Sequence, residues 1–383
     1  MADARIPVWL DCDPGHDDAF AILLAAYHPR LRLLGISTVF GNASLQKTSR
    51  NACSILTAIG QSLSIPVYPG AGRPLARAPI HAPTDIHGES GIDGTSLLPE
   101  PLAGPDTSLP ALEAMARALR AQPEGRAWLV ATGAFTNAAA LFQTYPELIP
   151  HVAGLSLMGG AVGGGFTPAV MGSVDGVARI GNWTQFAEFN VLADPEAAAW
   201  IFETGRGLAR KTTLVPLDVT HLVLATEGVQ RLLLWGRDGG EGKGDLEVEG
   251  SRGAKSTLRK MLVELLFFFA KTYRDVFGIM EGPPLHDPLA VAAVLAGAGD
   301  DEIPFYDADP VTGVRERYEV TVITDGTIEE AHAGLKETGR TVVRLLPPGE
   351  EGVRIPRGLD IPKFWNVLEE CMERADEAVA KPM

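Results

Sequence analysis

Apolar and polar positions fall in blocks along this chain, and each block has the length of one element. Val8-Trp9-Leu10 is a short apolar run that reads as a buried strand, and the almost wholly apolar Ala19 to Tyr27 reads as a buried helix. Pro14-Gly15 turns the chain between them. The alternation then repeats. Leu31 to Phe40 reads as a strand, Ser44 to Ile59 as a helix entered through Gly41-Asn42, and Ile65 to Tyr68 as a short strand. After a Pro- and Gly-rich loop, Pro69 to Pro105, a helix near Leu109 to Ala121 leads to a strand at Ala127 to Ala131. Thr132-Gly133 breaks that strand, Thr136-Asn137 opens another apolar helix, and Val152 to Met158 is a strand ended by Gly159-Gly160. Such βαβ alternation predicts the α/β class, an open, mostly parallel sheet with helices on both faces.

Beyond Gly160 the pattern loosens. Residues 161–181 are Gly-rich and read as a flexible surface excursion, without the spacing of a dinucleotide or phosphate loop. Asp194-Pro195-Glu196 has the form of a helix cap followed by Pro at the first position, so Asp194 reads as structural. Thr213 to Leu217 resembles a strand. Residues 236–253 form a charged, Gly-rich insertion expected to be exposed. Ser256 to Phe277 is a long helix whose Phe267, Phe268, Phe269 and Tyr273 read as core, because apolar stripes at helical spacing usually pack. Leu285-His286-Asp287-Pro288 precedes a further apolar helix, Ala290 to Leu295. Tyr318 to Ile323 and Thr341 to Leu346 alternate as a strand pair would, and a helix from Pro362 to Ala378 closes the chain. With no internal repeat, residues 1–383 read as one domain carrying two loop excursions.

Composition narrows the function classes. Apolar residues make up 46% of the chain, ample for a large core, and a net charge of −15 argues against a nucleic-acid or anionic-membrane surface as the main partner. Three scattered cysteines, Cys12, Cys53 and Cys371, give neither zinc spacing nor a disulfide framework and fit a reducing, cytoplasmic compartment. No signal peptide is expected, since no basic region is followed by a long apolar stretch at the N-terminus. Met261 to Ala270 is too short to span a bilayer.

Candidate chemistry concentrates between the first strand and the first helix. Asp11-Cys12-Asp13-Pro14-Gly15-His16-Asp17-Asp18 holds four carboxylates in eight residues. A helix start accommodates one or two Asp as cap and dipole partner. Four repel one another unless something positive sits among them, and a hard cation held by oxygen ligands is the simplest remedy. The Asp cluster, Asn42, Thr136 and the Gly159 turn each follow the C-terminal end of a predicted strand, and in an open parallel sheet those ends share the edge where ligands bind.

The chain resembles the inosine–uridine-preferring nucleoside hydrolases. The resemblance lies in the Asp11 to Asp18 cluster, Gly41-Asn42, His87-Gly88-Glu89-Ser90-Gly91, Thr132-Gly133 through Thr136-Asn137, and Met158-Gly159-Gly160. It continues through Asn182 with Glu188-Phe189-Asn190 and Leu285-His286-Asp287-Pro288, in the family's order, over roughly residues 6 to 300. It implies a Rossmann-like nucleoside hydrolase fold and hydrolysis of the N-glycosidic bond of uridine- or inosine-like ribonucleosides to ribose and free base. It also implies a Ca2+ held by Asp13, Asp18, Asp287 and the main-chain carbonyl of Thr136, with Asp13 as general base. Asp17, Asn42, Asn182, Glu188 and Asn190 match positions that hold ribose or the attacking water, with Met158 beside the sugar and Asp11 in support. His87 and His286 match histidines near the base, and His286 is the expected aid to base departure.

Two other classes compete: a metal-dependent phosphohydrolase, since a strand ending in Asp-x-Asp also suits aspartyl-phosphate chemistry, and a non-catalytic calcium- or sugar-binding protein. The expected partners are a small ribonucleoside and further copies of the chain in a homodimer or homotetramer. Neither nucleic acid nor membrane is expected.

Overall fold

The computed structural model describes residues 3–80, 84–174, 177–203, 207–237, 253–309 and 311–380, apart from the side chains of Asp85, Val174, Phe269, Thr272 and Val276. At its centre lie β1 (Ile6–Cys12), β2 (Leu31–Thr38), β3 (Val67–Pro69), β4 (Trp128–Ala131) and β5 (Gly154–Met158). A two-stranded ribbon, β6 (Ser173–Val174) and β7 (Val177–Ala178), precedes the last strand of the main sheet, β8 (Thr212–Val215). The main sheet runs β3-β2-β1-β4-β5-β8 and is parallel throughout. The α/β expectation holds.

Parallel strands need helical crossovers that cover both faces, so the strands are buried on both sides. In β1 the period of two is direct: Val8, Leu10 and Cys12 belong to one core, while Trp9 belongs to the other. The first core packs against helices Asp18–Tyr27, Leu45–Ala58, Thr257–Phe277, Asp287–Ala292 and Ile361–Ala380. The second packs against Ala111–Arg120, Thr136–Thr144 and Pro195–Phe202. Truncating a fully buried leucine such as Leu10 to Ala costs about 2–5 kcal/mol in such a core.

Sheet order reverses at β1: the chain winds outward through β2 and β3, then returns to place β4 on the other side. The crevice beyond the C-terminal ends of β1 and β4 is therefore the topological switch point, where ligands bind in open α/β sheets. Asp13 follows β1 and Thr132 follows β4, so the first two loops of the candidate site sit at that crevice.

Elements outside the sheet hold its far side. Tyr318–Val322 and Thr341–Leu345 pair antiparallel as expected, apart from the main sheet. The closing helix, Ile361–Ala380, is tied down by Arg259, a fully buried guanidinium bonded to Glu369 at 3.0 Å, Glu373 at 2.8 Å and Asp376 at 2.6 Å. The excursion at 161–181 is pinned at its base rather than loose throughout. Val162 and Gly163 donate their N–H groups to Asp218 at 2.7 and 2.8 Å. Of the insertion expected at 236–253, residues 238–252 lie outside the described residues. Among the described residues, no helix is long and apolar enough to cross a membrane.

Candidate active site

From the end of β1 to the start of helix Asp18–Tyr27 every carboxylate is buried: Asp11, Asp13 and Asp18 fully, Asp17 nearly so. Asp18 accepts the Gly15 N–H at 2.9 Å and the Thr132 hydroxyl at 3.1 Å. Asp13 accepts the Asn42 N–H at 2.7 Å, and its other oxygen has no hydrogen-bond partner among the described residues. Two glycines make room for it. A Cβ on Gly41 would lie 2.0 Å from one Asp13 oxygen, and a Cβ on Gly133 2.6 Å from the other. Asp11 is bonded instead to Ser37 and to Asn137, the latter at 2.8 Å.

Asp287 arrives from far along the chain. Asp17 accepts the backbone N–H groups of His286 and Asp287, each at 3.3 Å, joining the β1 loop to the start of helix Asp287–Ala292. Carboxylate oxygens of Asp17, Asp18 and Asp287 lie within 4.8 Å of one another, all buried. Burial, reinforced by repulsion from Asp18, pushes the carboxyls of Asp13 and Asp17 up, Asp17 to about 7. Burial and the charges of Asp17, Asp18 and Asp13 push Asp287 well above the carboxylate range. A bound cation would reverse these shifts by favouring the charged forms.

Above this cluster opens a cleft of about 540 Å3, open solvent at its mouth included. Asp17, Asn42, His87, Met158, Asn182, Glu188, Asn190, His286 and Asp287 all line it, whereas Asp13 and Asp18 are not among the lining residues. Sequence positions more than 200 residues apart thus share one wall. No Lys or Arg is among the described lining residues.

Each polar group of the wall is held by local hydrogen bonds. Glu188 caps the short helix Phe189–Ala193, accepting N–H groups from Asn190 at 2.9 Å, Val191 at 3.1 Å and Gly160 at 2.8 Å. Burial raises its carboxyl to about 7 in spite of these bonds. Asn190 donates to the carbonyls of Thr132 at 2.8 Å and Met158 at 3.1 Å, so its amide nitrogen spans the ends of β4 and β5. Asn182 accepts the Phe189 N–H at 2.9 Å. His286 holds the Thr220 hydroxyl at Nδ1 (2.7 Å) and the Tyr273 hydroxyl at Nε2 (2.6 Å). Burial pushes the imidazoles of both His286 and His87 well below their usual value.

Two expectations are corrected here. Thr136 does not turn its carbonyl to the cluster: as the first residue of helix Thr136–Thr144 it directs that carbonyl along the helix, and its hydroxyl donates to Asp194 at 2.6 Å. Thr132, four residues earlier, lines the cleft and touches Asp18. It ends a strand beside Gly133, which is the signal that could have singled it out. The aromatics of Thr257–Phe277 are not core alone. Tyr273 and Phe277 are buried yet line the cleft, and Phe268 stacks on His16 at 5.2 Å. Phe269's side chain lies outside the described residues. Periodicity cannot separate the two roles, because a core and a closed cleft bury a ring equally. Trp183 and Phe189 also line the cleft, edge to face at 5.1 Å, and were not anticipated.

Residues 8–366 match the family model of inosine-uridine preferring nucleoside hydrolase, reaching beyond the span of the recognisable motifs. The chain is 39% identical over 382 residues to a uridine nucleosidase of Saccharomyces cerevisiae, covering 98% of each. It is 38% identical over 291 residues to a pyrimidine-specific ribonucleoside hydrolase of Citrobacter koseri, covering 76% of this chain and 79% of that one. Among solved structures, a purine-preferring ribonucleoside hydrolase from Gardnerella vaginalis superposes with a TM-score of 0.72 at 24% identity, covering 96% of this chain and 98% of the other, a likeness of fold.

Proposed function

The chain belongs to the inosine-uridine preferring nucleoside hydrolases, enzymes of N-glycosidic hydrolysis, and from that premise we propose that it cleaves uridine-like pyrimidine ribonucleosides with calcium as its resident cation. The observation that carries the metal is the set of buried carboxylates of Asp17, Asp18 and Asp287, two of which line a cleft that has no lysine or arginine among its described lining residues. Asp13, with one oxygen lacking a partner among the described residues, completes an all-oxygen donor set that suits a hard cation. Asp13, Asp18, Asp287 and a main-chain carbonyl, that of Thr132 in place of Thr136, would hold it. When bound, calcium supplies positive charge that neutralises the cluster, acidifies a nearby water and fixes ribose hydroxyls.

The remaining chemistry falls to the chain's own groups. Asp13 takes the proton of the attacking water on its unpartnered oxygen, while the Asn42 N–H steadies the other. Cleavage passes through a state with oxocarbenium character, so groups that grip the sugar and face its positive charge lower the barrier. Asp17, Asn42, Asn182, Glu188 and Asn190 do this from the cleft wall, and Met158 packs beside the ribose. Both Asn190 amide hydrogens are directed to main-chain carbonyls, which leaves its oxygen to a ribose hydroxyl. At the base end, His286 and Tyr273 form one hydrogen-bonded pair through which a proton can pass to the departing base. Pyrimidine preference is supported by the names of the yeast and Citrobacter relatives.

The test is a panel of ribonucleosides scored for free base, ribose and phosphate, with and without a calcium chelator, beside elemental analysis. Ribose and uracil from uridine, lost on chelation and restored by calcium, with about one calcium per chain, is the expected result. Zinc at that stoichiometry, surviving mild chelation, overturns the cation. Phosphate release would instead indicate a phosphohydrolase, and binding without turnover a non-catalytic protein.

A further inference from the structure

The ring of His286 is met at both nitrogens by hydroxyl groups from different parts of the fold. Tyr273, at Nε2, stands on the long helix Thr257–Phe277, whereas Thr220, at Nδ1, ends the one-turn helix Leu217–Thr220 that follows β8. Thr220 is fully buried and is not among the lining residues of the cleft. Threonines in helices often turn the hydroxyl back on the carbonyl three or four residues earlier. Here that carbonyl, of Leu217, is 3.5 Å away, at the limit of a hydrogen bond, while His286 Nδ1 is 2.7 Å away. The hydroxyl is committed to the ring.

The turn that carries Thr220 is itself tied to the site. The Leu217 N–H donates to the Gly160 carbonyl at 3.0 Å, and the N–H of the same Gly160 donates to Glu188 at 2.8 Å. Asp218 takes the N–H groups of Val162 and Gly163. Further on, the Leu285 N–H donates to the Val223 carbonyl at 3.0 Å and the Ala225 N–H to that of Pro283 at 2.8 Å, so the backbone entering His286 runs against the backbone leaving Thr220. Backbone and ring of His286 therefore both take their places from residues 217–225, which follow directly on β8 of the main sheet. The outer torsion of a histidine is broad and roughly two-fold, so a bond to a fixed hydroxyl sets a ring angle that the side chain's own preference leaves soft.

On the reading above, in which His286 takes part in ribonucleoside hydrolysis, we infer that Thr220 is a positioning residue that sets the ring of His286 and acts on the reaction only through it. Neither the location of the base nor the protonation of the ring enters, since a hydroxyl can donate or accept. A ring displaced from the reacting atoms slows the reaction even though Thr220 itself touches no substrate.

The first experiment needs no turnover, so its failure is separable from a failure of the functional reading. In the full chain labelled with 15N-histidine, the ring signals of His286, identified by their loss in His286→Ala, should shift in Thr220→Val and return in Thr220→Ser. Unchanged His286 signals in Thr220→Val overturn the inference even if uridine is cleaved. The second is a double-mutant cycle on kcat/KM for uridine. Thr220→Val keeps the shape of the side chain without its hydroxyl and should lower the rate about tenfold, with Thr220→Ala matching it and Thr220→Ser restoring it. In the His286→Ala background the same Thr220→Val change should cost less than about twofold, because its only route to the reaction is gone. An equal loss in both backgrounds would mean that Thr220 only supports the fold and overturns the inference; so would a Thr220→Ser variant as slow as Thr220→Val.

Discussion

Replacing Asp13 by Asn should have opposite effects on the enzyme's rate and on its stability without metal. The side chain keeps its shape, and the replacement oxygen can still accept the Asn42 N–H that Asp13 accepts at 2.7 Å. The other oxygen, without a partner among the described residues, becomes an amide nitrogen that can donate toward its acidic neighbours. One negative charge leaves a fully buried cluster in which Asp18 and Asp17 raise the energy of the Asp13 carboxylate. In chelator, therefore, the variant should melt at or above the temperature of the unsubstituted chain. Calcium at 1,000 times its dissociation constant stabilises a protein by about 4 kcal/mol, and each tenfold loss of affinity removes about 1.4 kcal/mol of that. The variant should accordingly gain less from added calcium. Its rate should fall by about 10² to 10⁴, the usual contribution of a positioned base, or roughly 2.7 to 5.4 kcal/mol of barrier. Uridine turnover and thermal melts with and without calcium read all three quantities on one preparation. Near-normal turnover with an undiminished calcium response would refute the assignment of Asp13 as base and ligand. A lower melting temperature in chelator would refute the charge argument.

Asn190→Ala removes the amide that spans Thr132 and Met158 and should slow every ribonucleoside by a similar factor; a loss confined to one base places Asn190 at the base instead. His286→Ala should slow uridine far more than a nitrophenyl riboside, whose leaving group needs no proton, and equal losses would move His286 to the sugar or the cation. Arg259→Met leaves buried Glu369 with only Arg237, 3.5 Å away, and the part-buried Asp376 without its cation, and should cost up to about 3–5 kcal/mol in denaturant unfolding. Burial holds His28 down at about 4, so stability is fully present above the unfolded value of 6.5 and is lost as pH falls from there through about 4. His28→Gln should shift acid unfolding to lower pH, and an unchanged acid transition would show that other groups govern it.

Local physics made much of this molecule legible from its sequence. Helix ends read correctly where one residue decides them: Asp194 accepts the Ala197 N–H before Pro195, and Ser256 and Gly278 bracket the long helix. The unbroken apolar run Val8-Trp9-Leu10 marked a buried strand, because a strand covered on two faces must bury odd and even residues alike. Four carboxylates in eight residues marked the site, since charges that close along the chain cannot be far apart in any fold. What required tertiary structure was direction and meeting. Thr132 and Thr136 both follow β4, but only the helix starting at Thr136 decides that its carbonyl runs along the axis while Thr132 remains at the cluster. Tyr273 has the helical spacing of a core residue, and its role depends on what lies across from it, which periodicity does not encode. The meeting of His16 with His87, 71 residues on, and of Asp17 with Asp287, 270 residues on, depends on loops returning to one switch point. Hydrogen bonds act over about 3 Å, so which groups they join follows from atomic placement rather than from residue identity.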